Sequence, residues 1–324
     1  MADIVKCKNI VEAIKYLEPH HILADCLDKE GCAINYQRND AMLMPDGRIA
    51  FLCNTGNFNF YRGENKQYSS CKSSLYRIQG REERIKALAK TYEFLLFLDT
   101  LPEVMYYKDN NYWYEPWALA QHYEFATPMI DLTNEIAVAA FFATHQYDRV
   151  TNSYMLMREG IGRIRWMCRM PLFPEEDFIR PIGVQPFCRP SNQFGYGCWI
   201  KEDEDLADMM QIIEFEQDYD INLKLKTSMT GPETMYFPNE KIVQMANVIK
   251  NENVITNAAI DLMSTGEFIN PVPTREEIVD VLKKAGTYIV DAPVICPEAV
   301  PGMGQCLRVK PRMVLKPVYK GVSQ

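Results

Sequence analysis

Between Arg81 and Asp99 the apolar positions Ile85, Leu88, Ala89, Tyr92, Leu95 and Leu96 recur at spacings of three and four, predicting an amphipathic helix closed by Pro102. Pro116 suits a first helical position and opens a second helix carrying Trp117, Leu119, Ala120, Gln121 and His122. Met129 to Leu132 reads as a buried strand. The following run, Glu135 to His145, can be capped by Thr133-Asn134 and is apolar nearly all round, so it predicts a central, buried helix. Earlier, Ile10, Ile14 and Leu17 mark a short peripheral helix that stops at Pro19. Ile49 to Phe51 and Phe58 to Tyr61 look like strand material interrupted at 54–57, which places Arg62 at or just after a strand end.

Further along, Ser153 to Arg158 and Arg163 to Met170 read as strands paired across Glu159 to Gly162, followed by a proline-punctuated stretch. Residues 203–218 fit an amphipathic helix at least as well as a strand. Helices are predicted near Lys241 to Lys250 and from Thr274, where Thr274 and Glu277 have capping-box spacing and Gly286 supplies the stop. The expected fold is α+β: a mixed or antiparallel sheet around one buried helix, with helical additions at both ends. The expected division is an N-terminal peripheral segment (1–45), a core (46–220), a helical C-terminal region (221–290) and a proline-punctuated tail (291–324).

Composition narrows the function classes. Across 324 residues, 47% hydrophobic and 24% charged residues describe an ordinary globular protein. A formal net charge of −8 disfavours a nucleic-acid partner, because phosphate backbones are held by net positive charge. The best basic stretch, Arg158, Arg163, Arg165, Arg169 and Arg180, reads first as the solvated face of a strand. Ten cysteines without a Cys-x-x-Cys pair or a companion His make structural zinc unexpected and suit reduced thiols in a cytoplasmic protein. The first residues lack the pattern of a secretory leader, and no stretch approaches the roughly 20 apolar residues needed to cross a bilayer, so no membrane is expected.

Several residues could carry chemistry. Arg62 beside Gly63 offers a planar fork of donors for phosphate or carboxylate, and equally a buried pair with Asp131 or Glu64. His122, near Asp131 and Thr133, could orient a ligand or act as acid or base near neutral pH; a satisfied core histidine is the plainer reading. Glu214 and Glu216 would share a face if their segment is a strand, but read as surface charges if it is a helix. No cysteine has a His and an orienting group nearby in sequence, and no phosphate-cradling glycine loop is present.

Three segments together resemble the FRG family, named for a Phe-Arg-Gly motif and found in bacterial-type proteins. They are Phe60-Tyr61-Arg62-Gly63-Glu64 with Ser73-Ser74-Leu75-Tyr76-Arg77; Trp117-Ala118-Leu119-Ala120-Gln121-His122-Tyr123 leading to Thr127 and Asp131-Leu132-Thr133; and Arg189-Pro190-Ser191-Asn192-Gln193-Phe194-Gly195-Tyr196. The resemblance spans roughly residues 55 to 200. Tyr61 replaces the naming Phe, and Pro128-Met129 stands where Arg-Leu is usual, so any anion contact made there by relatives must come from elsewhere. More weakly, the order aromatic-Arg-Gly, then a strand ending in Thr133, then an Ala/Phe-rich helix resembles ADP-ribosyltransferases. That resemblance implies an enzyme that binds NAD as substrate and cleaves its nicotinamide bond without a metal. Tyr61, Arg62, Gly63, Arg77 and Thr133 would then contact the nucleotide. His122 and Asp131 would orient it, and Gln193 or Glu216 would polarise the ribose; the acceptor would be a protein side chain, a nucleic acid or water. The competing expectation is a non-catalytic recognition module for a nucleotide, a peptide or a partner protein.

Overall fold

The computed structural model describes residues 4–18, 41–43, 47–51, 59–148, 151, 153–168, 179–182, 185–229 and 240–292. The chain begins with strand β1 (Ile4–Cys7) and helix α1 (Ile10–Leu17), then forms β2 (Ala41–Leu43), β3 (Ile49–Phe51) and β4 (Asn59–Glu64). Helices α2 (Arg81–Leu98), α3 (Pro102–Asp109) and α4 (Pro116–His122) lead to β5 (Met129–Thr133), α5 (Ile136–Thr144), β6 (His145–Asp148), β7 (Ser153–Leu156) and β8 (Ile161–Cys168). Next come β9 (Ile179–Pro181), α6 (Cys188–Asn192), β10 (Gly195–Trp199), β11 (Gln211–Glu216) and α7 (Tyr219–Ser228). The C-terminal part holds α8 (Lys241–Asn251), β12 (Val254–Thr256), α9 (Asn257–Met263), α10 (Arg275–Lys284) and β13 (Tyr288–Val290).

Seven strands form one mixed sheet in the order β1-β11-β8-β4-β5-β10-β9, antiparallel throughout except for the parallel edge pair β1 and β11. The α+β expectation is therefore met. Alternation along the strands sends Tyr61, Ile164, Trp166, Ile213 and Phe215 to one face, where they pack with α1 and with Ala139, Ala140 and Ala143 of α5. Phe60, Ile130, Leu132, Met167 and Tyr196 face the other way and meet α2, α9 and α10. A second apolar cluster joins Phe94, Phe97 and Leu98 of α2 to α3, α4 and α8. The sheet is thus a central layer, and β4 and β8 lie in its interior.

Several local expectations change in this frame. The N-terminal segment is built into the fold: Ile10, Ala13 and Leu17 are fully buried against the sheet, and β1 extends that sheet along β11. β7 and β8 do not pair with each other. β8 carries residues that need covering on both faces and lies between β4 and β11, whereas half-exposed β7 forms an outlying ribbon with β6. Residues 211–216 are a strand and not part of a helix, because pairing with β8 and β1 satisfies their backbone on both sides. The arginines of β8 are not a solvated face either. Arg165 is 1% exposed and Arg163 is ion-paired. The expected strand interruption at 54–57 and the proline-punctuated tail from 293 lie outside the described residues.

Candidate functional site

The site forms where β4 and β5 fork. Tyr61 stands opposite Thr133, and the registered pairing between the two strands is confined to that pair. Beyond it the guanidinium of Arg62, inside β4 and not at its end, fills the gap and donates from Nη1 to the main-chain oxygen of Asp131 at 2.9 Å. Its Nε lies 3.9 Å from Glu64 Oε1 and has no hydrogen-bond partner. Burial alone would lower the Arg62 pKa, but Cys71, Glu64, Asp131 and Tyr68 outweigh it and hold the group above its usual value. Arg62 is a fixed cation.

Arg77, from the Ser-Leu-Tyr-Arg segment, is brought beside it. Burial and the charge of Arg62 pull the Arg77 guanidinium below its ordinary range. Arg77 is nonetheless exposed on its outer side, and its guanidinium makes no hydrogen bond or ion pair among the described residues. Two neighbouring cations with unfilled donors attract an anion.

The other side of the fork is formed by the second motif segment. Gln121 Oε1 accepts hydrogen bonds from Ser74 Oγ (2.9 Å) and Thr127 Oγ1 (2.6 Å), tying the end of α4 to the loop before α2 and to the approach to β5. This places His122 Nε2 3.8 Å from Asp131 Oδ1, and neither atom has a hydrogen-bond partner. Arg189 Nη1 donates to the main-chain oxygen of His122 at 2.7 Å. Burial lowers the His122 pKa; Asp131 pulls it up, and Arg189 pushes it further down. Its lowered pKa makes the imidazole a neutral group beside a carboxylate.

Other expected site residues have structural work. Thr133 Oγ1 accepts from Glu135 N at 3.0 Å in the turn before α5, and the helix is capped by Glu135, which accepts from Ala137 N at 3.4 Å, and not by the expected Thr133-Asn134. Gly63 lies directly under α5, so the close approach that it permits is to a helix backbone. Tyr61 is fully buried among the alanines of α5. Gln193 is buried at the end of α6, two residues before Gly195, where an added Cβ would lie 3.5 Å from His122 Nε2. Glu214 is held by Arg163 (2.7 Å) and Gln67 (2.9 Å); burial raises its pKa, and these partners more than reverse that shift. Glu216 stands exposed at the end of β11, with β8 between it and β4.

One feature of the site escaped sequence reasoning. Lys6, Glu214, Arg163 and Glu64 are successive cross-strand neighbours on β1, β11, β8 and β4, giving a row of alternating charge beneath the arginine pair. Buried Arg165 stands opposite Arg62 and bonds Glu64 at 2.9 Å. The only local signal was the alternation of Arg163 and Arg165, which a solvated strand shares. Among the described residues no group of three or more His, Cys, Asp or Glu side chains gathers in a way that could hold a metal, and no helix is long and apolar enough to cross a membrane.

No curated protein and no solved structure matches the chain. A family does, and its match covers both the arginine strand and the His122–Asp131 segment while ending before Gln193. Residues 57–152 match the model of the FRG domain.

Proposed function

We propose that the FRG region is a recognition site for a phosphate-bearing nucleotide, with Arg62 and Arg77 facing the phosphate and His122 and Asp131 facing a hydroxyl of the sugar. The observation that carries this reading is the unpaired Arg77 guanidinium beside Arg62, whose own Nε is unfilled. The buried Arg62 Nε without an acceptor is costly, and an anionic ligand held by the exposed Arg77 guanidinium would satisfy it. Recognition is preferred to catalysis because the groups that would polarise a ribose are engaged or distant. Glu214 is held by Arg163, Glu216 lies across β8, and Gln193 is buried at the end of α6.

ADP-ribosyltransferase-like cleavage of NAD is the second reading. It is favoured by the Asp131 carboxylate beside a neutral His122, a pair able to orient a hydroxyl and steady an oxocarbenium-like centre as nicotinamide leaves. Its acceptor would be a protein side chain, a nucleic acid or water.

Calorimetric titration with NAD, paired with an assay for released nicotinamide, tests both. Saturable heat that disappears in Arg77→Gln, at unchanged melting temperature, is the expected result. Nicotinamide release that also requires Asp131 would promote the enzyme reading. Equal binding by the wild type and Arg77→Gln would overturn the assignment.

A further inference from the structure

Away from the forked strands, the structure holds a cavity of 340 Å³ lined by Arg48, Trp113, Glu115, Trp117, Arg180 and Trp199, together with Tyr114 and Pro116. Three of the chain's four tryptophans line it. β3 reaches the cavity because Trp113 N donates to Ile49 O at 2.7 Å, and Arg48 then lies over the Trp113 ring at 4.2 Å. On the opposite wall Arg180 lies 5.5 Å from the Trp199 ring centroid and 3.6 Å from Glu115 Oε2. The Arg180 guanidinium is paired with Glu115, and its side chain is 45% exposed, so the donors turned away from Glu115 are open to solvent.

Two further donors stand unused. Trp113, only 7% exposed, and Trp199 each bury an indole Nε1 without a hydrogen-bond partner. Packing leaves both of these buried N–H groups without an acceptor, which is destabilising. Aromatic walls suit a flat ring. Guanidinium donors suit an acceptor-rich, negatively charged group. The volume is at the lower end of the range for small-molecule sites and suits a single ring system with one acidic group better than a dinucleotide.

We propose that this tryptophan-lined cavity is a second binding site, for a small ligand that joins a planar aromatic ring to an anionic group, with Arg180 holding the anion and the tryptophan faces holding the ring. Both a mononucleotide and an aromatic carboxylate have that chemistry. The site shares no residue with the Arg62–Arg77 pair and stands or falls independently of it.

Intrinsic tryptophan fluorescence tests the proposal, since a stacked ligand quenches the indoles it touches. The full chain is titrated with adenosine monophosphate, benzoate, adenosine and inorganic phosphate. Saturable quenching is expected from at least one of the two aromatic anions, and whichever binds identifies the source. Adenosine should bind roughly tenfold more weakly than the monophosphate if the nucleotide is the ligand, and phosphate alone should leave the signal unchanged. Arg180→Gln, at a half-exposed position that tolerates exchange, should remove the preference for the charged ligand, while Arg77→Gln should not. Absence of saturable quenching by both aromatic anions overturns the proposal. So does quenching that survives Arg180→Gln unchanged. Quenching lost in Arg77→Gln but kept in Arg180→Gln overturns it while leaving the reading of the forked-strand site intact.

Discussion

A Cβ placed on Gly63 would lie 1.9 Å from the carbonyl oxygen of Ala139 and 2.7 Å from the amide nitrogen of Ala143. Helix α5 therefore rests directly on the backbone of β4. Neither neighbour is the end of a flexible side chain, so nothing can give without lifting the helix from the sheet. Gly63→Ala is expected to destabilise the fold by about 3 kcal/mol or more, read by urea denaturation. A loss under about 1 kcal/mol would show that α5 can shift without penalty.

The Arg165 guanidinium is buried against the Glu64 carboxylate and also donates to the main-chain oxygen of Tyr68 at 3.3 Å. Arg165→Met removes the nearer partner of a carboxylate that is itself only 6% exposed, with Arg62 Nε remaining 3.9 Å away. The single substitution should cost about 3 kcal/mol, and adding Glu64→Leu should recover part of that loss, since an unpaired buried charge is worse than none. A double variant less stable than the single one would mean that Glu64 is held chiefly by Arg62.

Folding pushes the His122 pKa below its ordinary value of 6.5 through burial, against the pull of Asp131 and with the push of Arg189. The unfolded chain therefore binds this proton more readily than the folded one. The contribution of His122 is intact above pH 6.5 and becomes unfavourable as pH falls below that value towards the folded pKa. The slope should approach roughly 1.4 kcal/mol per pH unit within that window. Comparing pH series of the wild type and His122→Gln isolates it; identical slopes would show that His122 is not depressed.

Thr274 Oγ1 accepts from Glu277 N at 3.2 Å at the start of α10, and Glu277 in turn takes both Nε and Nη2 of Arg81 at 2.7 and 2.9 Å. Thr274→Ala should lower stability by about 1 kcal/mol. Glu277→Ala keeps the backbone N–H that Thr274 caps and removes only the side-chain link to α2, so Thr274→Ala/Glu277→Ala should shift the melting temperature further than Thr274→Ala alone. Equal shifts would mean that the ion pair, exposed as it is, adds nothing.

Long, strongly periodic segments were legible from the chain. α2 occupies Arg81–Leu98, α4 starts at Pro116, α5 is buried as its uniform apolarity demanded, and α10 begins at its predicted cap. The second motif was legible too, and the structure does bring His122 within 3.8 Å of Asp131. The role of Gly63 was not, because a glycine under a helix looks in sequence like a glycine lining a pocket. Segment 211–216 was ambiguous for a related reason: two glutamates two apart fit a strand and a helix equally until a partner strand is present.

What the sequence by itself determined is the set of elements with enough local repetition to declare themselves, and the FRG motif residues they carry. Tertiary structure alone decided which strands are neighbours, and with that, which charges are buried. Arg165 and Glu64 are 101 residues apart, yet they bond on adjacent strands; Glu214 meets Arg163 across 51 residues. Local alternation reports only that a side chain points away from the apolar face. Whether it meets water or an opposite charge depends on a partner that the local pattern does not contain.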